Sequence, residues 1–226
     1  MDQNKYYSEF AVKYRDDILN SVDPSLWTTD LNTNGPISAR MKVRIETLKR
    51  IVKEHFSREF PVFDIGCGFG RQAFVLAKEG FRIKGTDTNK DFIELARDIF
   101  RKHKLGGEFH CTQNEDHLSD EKFRQVVLLE VLEHIPAGKR KRFISSVSNV
   151  CFRNSKIIIS VPRIKPGFKS QLLNVSKYIL SSFFKNDEHP YPVPGENDIK
   201  KILGKYFFII SRVVNNETAF YICEAL

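Results

Sequence analysis

Apolar positions along this 226-residue chain keep two rhythms that take turns. Short continuous runs bounded by Gly, Pro or Asp read as buried strands: VFDI at 62–65, FRIKGTD ending at Asp87, EFHCTQ, VVLL at 126–129 and SKIIISVP ending at Pro162. Between them lie stretches whose apolar residues recur at three- and four-residue spacing, as helices require. RQAFVLAKEG carries Ala73, Val75, Leu76 and Ala77 and ends on Gly80; NKDFIELARDIF, KRFISSVSNVCF and NDIKKILGKY follow the same rule. Strands alternating with helices predict an α/β fold built on parallel strands. The chain closes on two strands with no helix between them, FFIISRVV and AFYICEAL, which fits an antiparallel hairpin.

Two helical segments precede the first strand. KYYSEFAVKYRDDILNSV places Tyr6, Tyr7, Phe10 and Tyr14 at a spacing compatible with one helical face. A turn-rich stretch with Asp23-Pro24 and Asn34-Gly35-Pro36 follows, and Ser38 is the expected N-cap of ARMKVRIETLKRIVKEHF. The resulting expectation is an N-terminal helical cap over residues 1–50 and a main domain over 51–226. A lid-like insertion at 163–195 interrupts the alternation after the fifth strand. Its middle, SQLLNVSKYILSSFF, has helical apolar spacing and basic flanks, so it reads as a lid, an added core helix or a membrane-surface contact.

The first strand runs directly into three glycines: FPVFDIGCGFG, with Gly66, Gly68 and Gly70. Glycine there lets the backbone reach positive φ and lets a ligand approach the main chain. A dinucleotide fingerprint, G-x-G-x-x-G, would need its third glycine where Arg71 stands. On these residues alone the loop is either a cofactor cradle or a turn tightened for strand–helix packing. Asp87 lies 21 residues beyond Gly66, close to the ~20 between a glycine loop and the acid that takes ribose hydroxyls. A carboxylate accepts from two vicinal hydroxyls at once. The other reading of Asp87 is a helix N-cap.

Composition narrows the class without choosing a ligand. Apolar residues make up 41% and charged residues 28%, ordinary for a globular domain. No apolar run reaches the ~18–20 residues that span a bilayer, and MDQNKYYSEF has no signal-peptide apolar region, so a cytoplasmic location is expected. The four cysteines are scattered without CxxC pairing, which indicates neither zinc nor a disulfide framework; no metal site is expected. The net charge of +8 gathers in RKHK (101–104) and KRKR (139–142). Such runs are solvated helix faces or contacts for an anionic partner.

Two motifs carry a family resemblance. D-I-G-C-G-F-G (64–70) resembles motif I of class I S-adenosylmethionine-dependent methyltransferases, and V-L-E-H-I-P (131–136) resembles motif IV of the ubiquinone- and menaquinone-biosynthesis type. One departure is Arg124, where relatives usually carry Asp near the start of the fourth strand. The resemblance implies a Rossmann-like seven-stranded mixed sheet, strand seven antiparallel, with helices on both faces. It implies S-adenosyl-L-methionine as cofactor, held by Asp64, Gly66, Cys67, Gly68, Gly70, Asp87, Thr88, Asn114, Glu115 and Glu130. Asp87 would take the ribose, Thr88 would border the adenine, and Asn114, Glu115 and Asp116 would meet its edge.

The resemblance also implies His134 as a general base oriented by Glu133. Tyr7, Tyr14 (from a Y-x-x-x-A-x-x-Y opening) and His189 would contact the acceptor. The implied reaction is methyl transfer to an oxygen of a small-molecule, lipid- or sugar-linked metabolite, by a monomer or homodimer. An RNA methyltransferase and a non-catalytic cofactor-binding regulator are the alternatives. Against a nucleic-acid acceptor, the chain has no [DN]-P-P-[YF] after strand four and no Pro-Cys nucleophile.

Overall fold

A computed structural model describes residues 3–27, 36–113, 117–163, 191–215 and 218–226. The expected contacts Asn114, Glu115, Asp116 and His189, and nearly all of the 163–195 insertion, lie outside the described residues. Seven strands form one sheet in the order β3-β2-β1-β4-β5-β7-β6: β1 Val62–Ile65, β2 Ile83–Asp87, β3 Gly107–Cys111, β4 Phe123–Leu129, β5 Cys151–Pro162, β6 Phe207–Val214 and β7 Thr218–Ala225. β1 to β5 pair in parallel, and β7 runs antiparallel to both neighbours, β5 and β6. The mixed sheet with an antiparallel seventh strand is as expected.

Burial explains why the central strands read as unbroken apolar runs. Val127 and Ile158 face one buried cluster while Val126, Leu128, Ile157 and Ile159 face the other, so β4 and β5 are covered on both sides. The first cluster is roofed by α2 (Pro36–His55), α3 (Arg71–Lys78) and α4 (Lys90–Lys102); the second by α5 (Arg140–Asn149) and α6 (Glu196–Leu203). α2 opens at Pro36, ahead of the expected cap Ser38, and continues through residue 50, where the cap was expected to end.

Strand order reverses at β1, which has β2 on one side and β4 on the other. Loops leaving β1 and β4 therefore diverge and open a crevice at their carboxyl ends. The N-terminal helix α1 (Gln3–Asn20) lies over α4. Asn89 Nδ2 donates to Asn4 O (3.0 Å), Asn4 Oδ1 (2.6 Å) and Ser8 Oγ (3.0 Å), and Arg15 pairs with Asp98. Phe10 packs edge-on against Trp27 and Phe92, with Tyr14 beside it.

The departure at Arg124 has a local reason. It lies where the β4–β5 register slips, and its guanidinium sits 5.2 Å from the Phe60 ring and 5.3 Å from the Phe152 ring. Both rings are exposed, and an Arg can cover them while its charge stays in water. No helix among the described residues is long and apolar enough to cross a membrane.

Candidate active site

The crevice holds a cavity of about 890 Å³, bounded by the ends of β1, β2 and β4 and flanked by α1 and by Arg44 of α2. Its floor is the glycine turn. Gly66, Gly68 and Gly70 have φ of 72°, 54° and 83°. A Cβ on Gly66 would lie 2.6 Å from Val131 Cγ2, so the turn needs glycine for space as well as for conformation. Gly66 and Cys67 both donate from their main-chain N–H to Thr86 O, at 2.8 and 3.0 Å, which stitches the turn to the end of β2.

Asp87 closes β2. Its Oδ2 accepts from Gly68 N–H (2.8 Å) and its Oδ1 from Asn89 N–H (2.9 Å). Capping of α4 falls to Asn89, whose Oδ1 accepts from Phe92 N–H at 2.9 Å. Asp87 is thereby left to face the cavity, with each oxygen aimed by one amide and retaining lone pairs for a ligand. Burial raises its pKa against those same amide bonds. Asp64 lies behind the wall, 2% exposed, with Oδ2 lacking any partner among the described residues. Burial, then Asp87, pushes its carboxyl up to about 7. Burial also raises the Cys67 thiol well above its ordinary value, so it lines the cavity as a thiol.

The adjoining wall follows β4. Glu130 has φ 59°, a left-handed backbone that costs a non-glycine residue ~1–3 kcal/mol and recurs at functional sites. Its carboxylate accepts from Ser160 Oγ (2.8 Å) and pairs with Arg44 Nη1 of α2 (3.0 Å). A 3₁₀ turn, Leu132–His134, comes next. His134 lines the cavity, its Nδ1 lying 2.8 Å from Gln3 Nε2 and 3.2 Å from the Tyr7 hydroxyl. With the Gln3 amide nitrogen donating, Nδ1 is the acceptor and a neutral ring carries its proton on Nε2.

Glu133 does not line the cavity beside His134. It is fully buried, and neither carboxylate oxygen has a hydrogen-bond partner among the described residues. The expectation that it orients His134 therefore finds no contact. Burial, then the charge of Glu130, pushes its carboxyl from 4.5 up to about 8. The folded protein thus holds a proton that the unfolded chain releases. This stabilisation is complete below about pH 4.5 and is lost as pH rises toward 8. Glu133→Gln stays neutral, so its melting temperature relative to wild type is expected to be higher at about pH 8.5 than at about pH 5. A constant difference between the two pH values in thermal denaturation would show that Glu133 is ionised in the folded protein.

Of the other expected positions, Gly66, Cys67, Gly68, Thr88, Glu130 and Tyr7 line the cavity. Gly70 sits just outside as the left-handed N-cap of α3, and Tyr14 packs on Trp27 instead. Residues the sequence did not flag also line it, Gln3, Arg44 and Phe92, and so do Lys139 and Arg142 of the basic run at 139–142. No cluster of three or more His, Cys, Asp or Glu that could hold a metal occurs among the described residues.

The parallel sheet closed by an antiparallel seventh strand is a fold that this chain shares with solved methyltransferase structures. Residues 62–153 match the family model described as a methyltransferase domain. The chain is similar to the ubiquinone biosynthesis O-methyltransferase of Rickettsia typhi, at 29% identity over 151 residues, 66% of this chain and 60% of that one. The enzyme of the same name from Coxiella burnetii is 28% identical over 115 residues, covering 50% and 47%. The chain thus spans about 60% or less of the length of these curated relatives. Among solved structures, magnesium protoporphyrin IX methyltransferase from Synechocystis, with bound S-adenosylhomocysteine, superposes with a TM-score of 0.72 at 18% identity, over 99% of this chain and 98% of that one.

Proposed function

We propose that this chain binds S-adenosylmethionine in the cavity and transfers its methyl group to an oxygen of a small-molecule acceptor. The observation that carries this reading is Asp87, aimed into the cavity by Gly68 and Asn89 amides beside three positive-φ glycines. The residues fit the group. A fixed carboxylate suits paired ribose hydroxyls, and a turn stripped of side chains lets a ligand reach main-chain N–H groups. The O-methyltransferase relatives support oxygen as the acceptor atom.

When bound, S-adenosylmethionine supplies a methyl group made electrophilic by a sulfonium. What remains for the protein is to align the acceptor and to take its proton, with alignment alone worth ~7–11 kcal/mol of a barrier. α1 lines one side of the cavity, and Arg44 reaches it from α2. His134, on the cavity wall that follows β4, is assigned the proton.

Incubating purified protein with a metabolite extract and trideuteromethyl donor is expected to label small molecules at oxygen, read by mass spectrometry. Label confined to RNA would replace this reading with a nucleic-acid methyltransferase. Donor binding with no labelled product in any fraction would make the chain a binder without turnover.

A further inference from the structure

Asn89 is 1% exposed, and its main-chain N–H and both ends of its side-chain amide are held by different elements. The N–H donates to Asp87 Oδ1 (2.9 Å), and Oδ1 accepts from Phe92 N–H (2.9 Å) as the N-cap of α4. Nδ2 has two hydrogens, with three oxygens of α1 in reach: Asn4 O at 3.0 Å, Asn4 Oδ1 at 2.6 Å and Ser8 Oγ at 3.0 Å. A cap needs only the oxygen. Serine or aspartate would cap α4 as well, so the amide nitrogen is explained by α1 and not by α4.

The same two turns of α1 reach the wall that follows β4. In a helix, residues four apart share a row, and each successive residue is rotated by about 100°. Asn4 and Ser8 form the row that meets Asn89. Gln3 and Tyr7 form the adjoining row, and both meet His134 Nδ1, at 2.8 and 3.2 Å. The main chain around His134 is held separately: Arg140, 4% exposed, donates from Nε to Leu132 O and Ile135 O, both at 2.9 Å. With the turn clamped in this way, what α1 sets is the imidazole itself. A hydrogen bond accepted at Nδ1 keeps the proton on Nε2, and so decides which ring nitrogen holds the lone pair.

We propose that Asn89 is a positioning residue for His134: by holding the first two turns of α1, it fixes the imidazole with its lone pair on Nδ1 and ties that state to Asp87. The inference rests on the proposed function for what Asp87 and His134 act on; the link from Asn89 to His134 is a property of the free protein. A helix end leaves its first N–H groups without helical partners and frays unless other contacts hold it. Without Nδ2, the start of α1 loosens and Gln3 and Tyr7 lose their hold on the ring. Asp87 and α1 share Asn89, so a ligand on Asp87 and order in α1 favour each other, and the coupling is reciprocal.

Asn89→Ser tests this, because serine keeps the cap, the main-chain N–H and the charge and removes only the amide nitrogen. Two readouts are taken on ligand-free protein. Hydrogen exchange at residues 7–12 is expected to accelerate about tenfold or more. The imidazole ¹⁵N signals of His134, identified among the six histidines by their loss in His134→Ala, are expected to move from the Nε2–H tautomer toward a mixture. A residue that served only as a cap would move neither. Asn4→Ala with Ser8→Ala removes two of the three oxygens from the α1 side; it should shift both readouts the same way, and it carries the test if Asn89→Ser does not fold. S-adenosylhomocysteine is expected to slow exchange at the same amides in wild type and to bind Asn89→Ser about tenfold more weakly. Unchanged His134 signals, unchanged exchange, or S-adenosylhomocysteine affinity equal to wild type would overturn the inference. If S-adenosylhomocysteine fails to bind wild type while both ligand-free shifts occur, the proposed function falls and the link from Asn89 to His134 stands.

Discussion

Asp87→Ala is expected to weaken S-adenosylmethionine binding by roughly 10²–10⁴-fold in a calorimetric titration. Each hydrogen bond to a charged group is worth ~1.5–3 kcal/mol, and tenfold in affinity corresponds to ~1.4 kcal/mol. Loss of two such bonds to vicinal hydroxyls gives that range. A second cost adds to it: the amides of Gly68 and Asn89 lose their acceptor, and the glycine turn loses one of its ties to the end of β2 while the two bonds to Thr86 O remain. Asp87→Asn separates the two costs. It keeps an oxygen acceptor for one of the amides but removes the charge, so it is expected to fall between wild type and alanine. Unchanged affinity in Asp87→Ala would remove the cofactor from this cavity altogether.

How far the site was legible depended on whether a local constraint or a distant one set it. Gly66 and Gly70 were legible because positive φ excludes most side chains whatever lies around them. β4 and β5 were legible because burial on both faces leaves an unbroken apolar run. Arg44 was not. In ARMKVRIETLKR it looks like any basic residue of a solvated helix face, and only the docking of α2 against the end of β4 brings it to Glu130. Gln3 reaches His134 across 131 residues of sequence, a contact that no local pattern encodes.

Adjacent and regularly spaced residues misled for geometric reasons. Glu133 and His134 look like a catalytic pair on paper. A 3₁₀ turn rotates the chain by about a third of a circle per residue, which sends one side chain into the core and the other into the cavity. Tyr7 and Tyr14 do share a helical face, yet seven residues at 1.5 Å each separate them by ~10 Å along the axis. That distance puts Tyr7 beside His134 and Tyr14 over Trp27. The run at 139–142 holds four side chains of one charge type, and only the fold distinguishes the buried clamp Arg140 from the cavity-facing Lys139 and Arg142.

His134→Ala is expected to lower kcat for an oxygen acceptor by roughly 10²–10⁴-fold, the usual range for a positioned proton acceptor. The measurement is S-adenosylhomocysteine release at saturating acceptor and donor, once labelling has supplied an acceptor. His134 also touches Gln3 and Tyr7, so a role as an anchor for α1 would produce a loss as well. The two roles separate on other readouts. An anchor lost would lower the melting temperature and weaken donor binding, because α1 lines the same cavity. A proton acceptor lost would leave both near wild type and act on kcat alone. Gln3→Ala sharpens the distinction: it removes the donor nearest to Nδ1 and leaves the lone pair more available, so it is expected to cost far less than His134→Ala. Near-normal turnover in His134→Ala would assign the proton to another group. A fall in kcat matched by an equal loss from Gln3→Ala would make the imidazole a latch for α1, with chemistry resting on alignment of an acceptor that ionises without help from the protein.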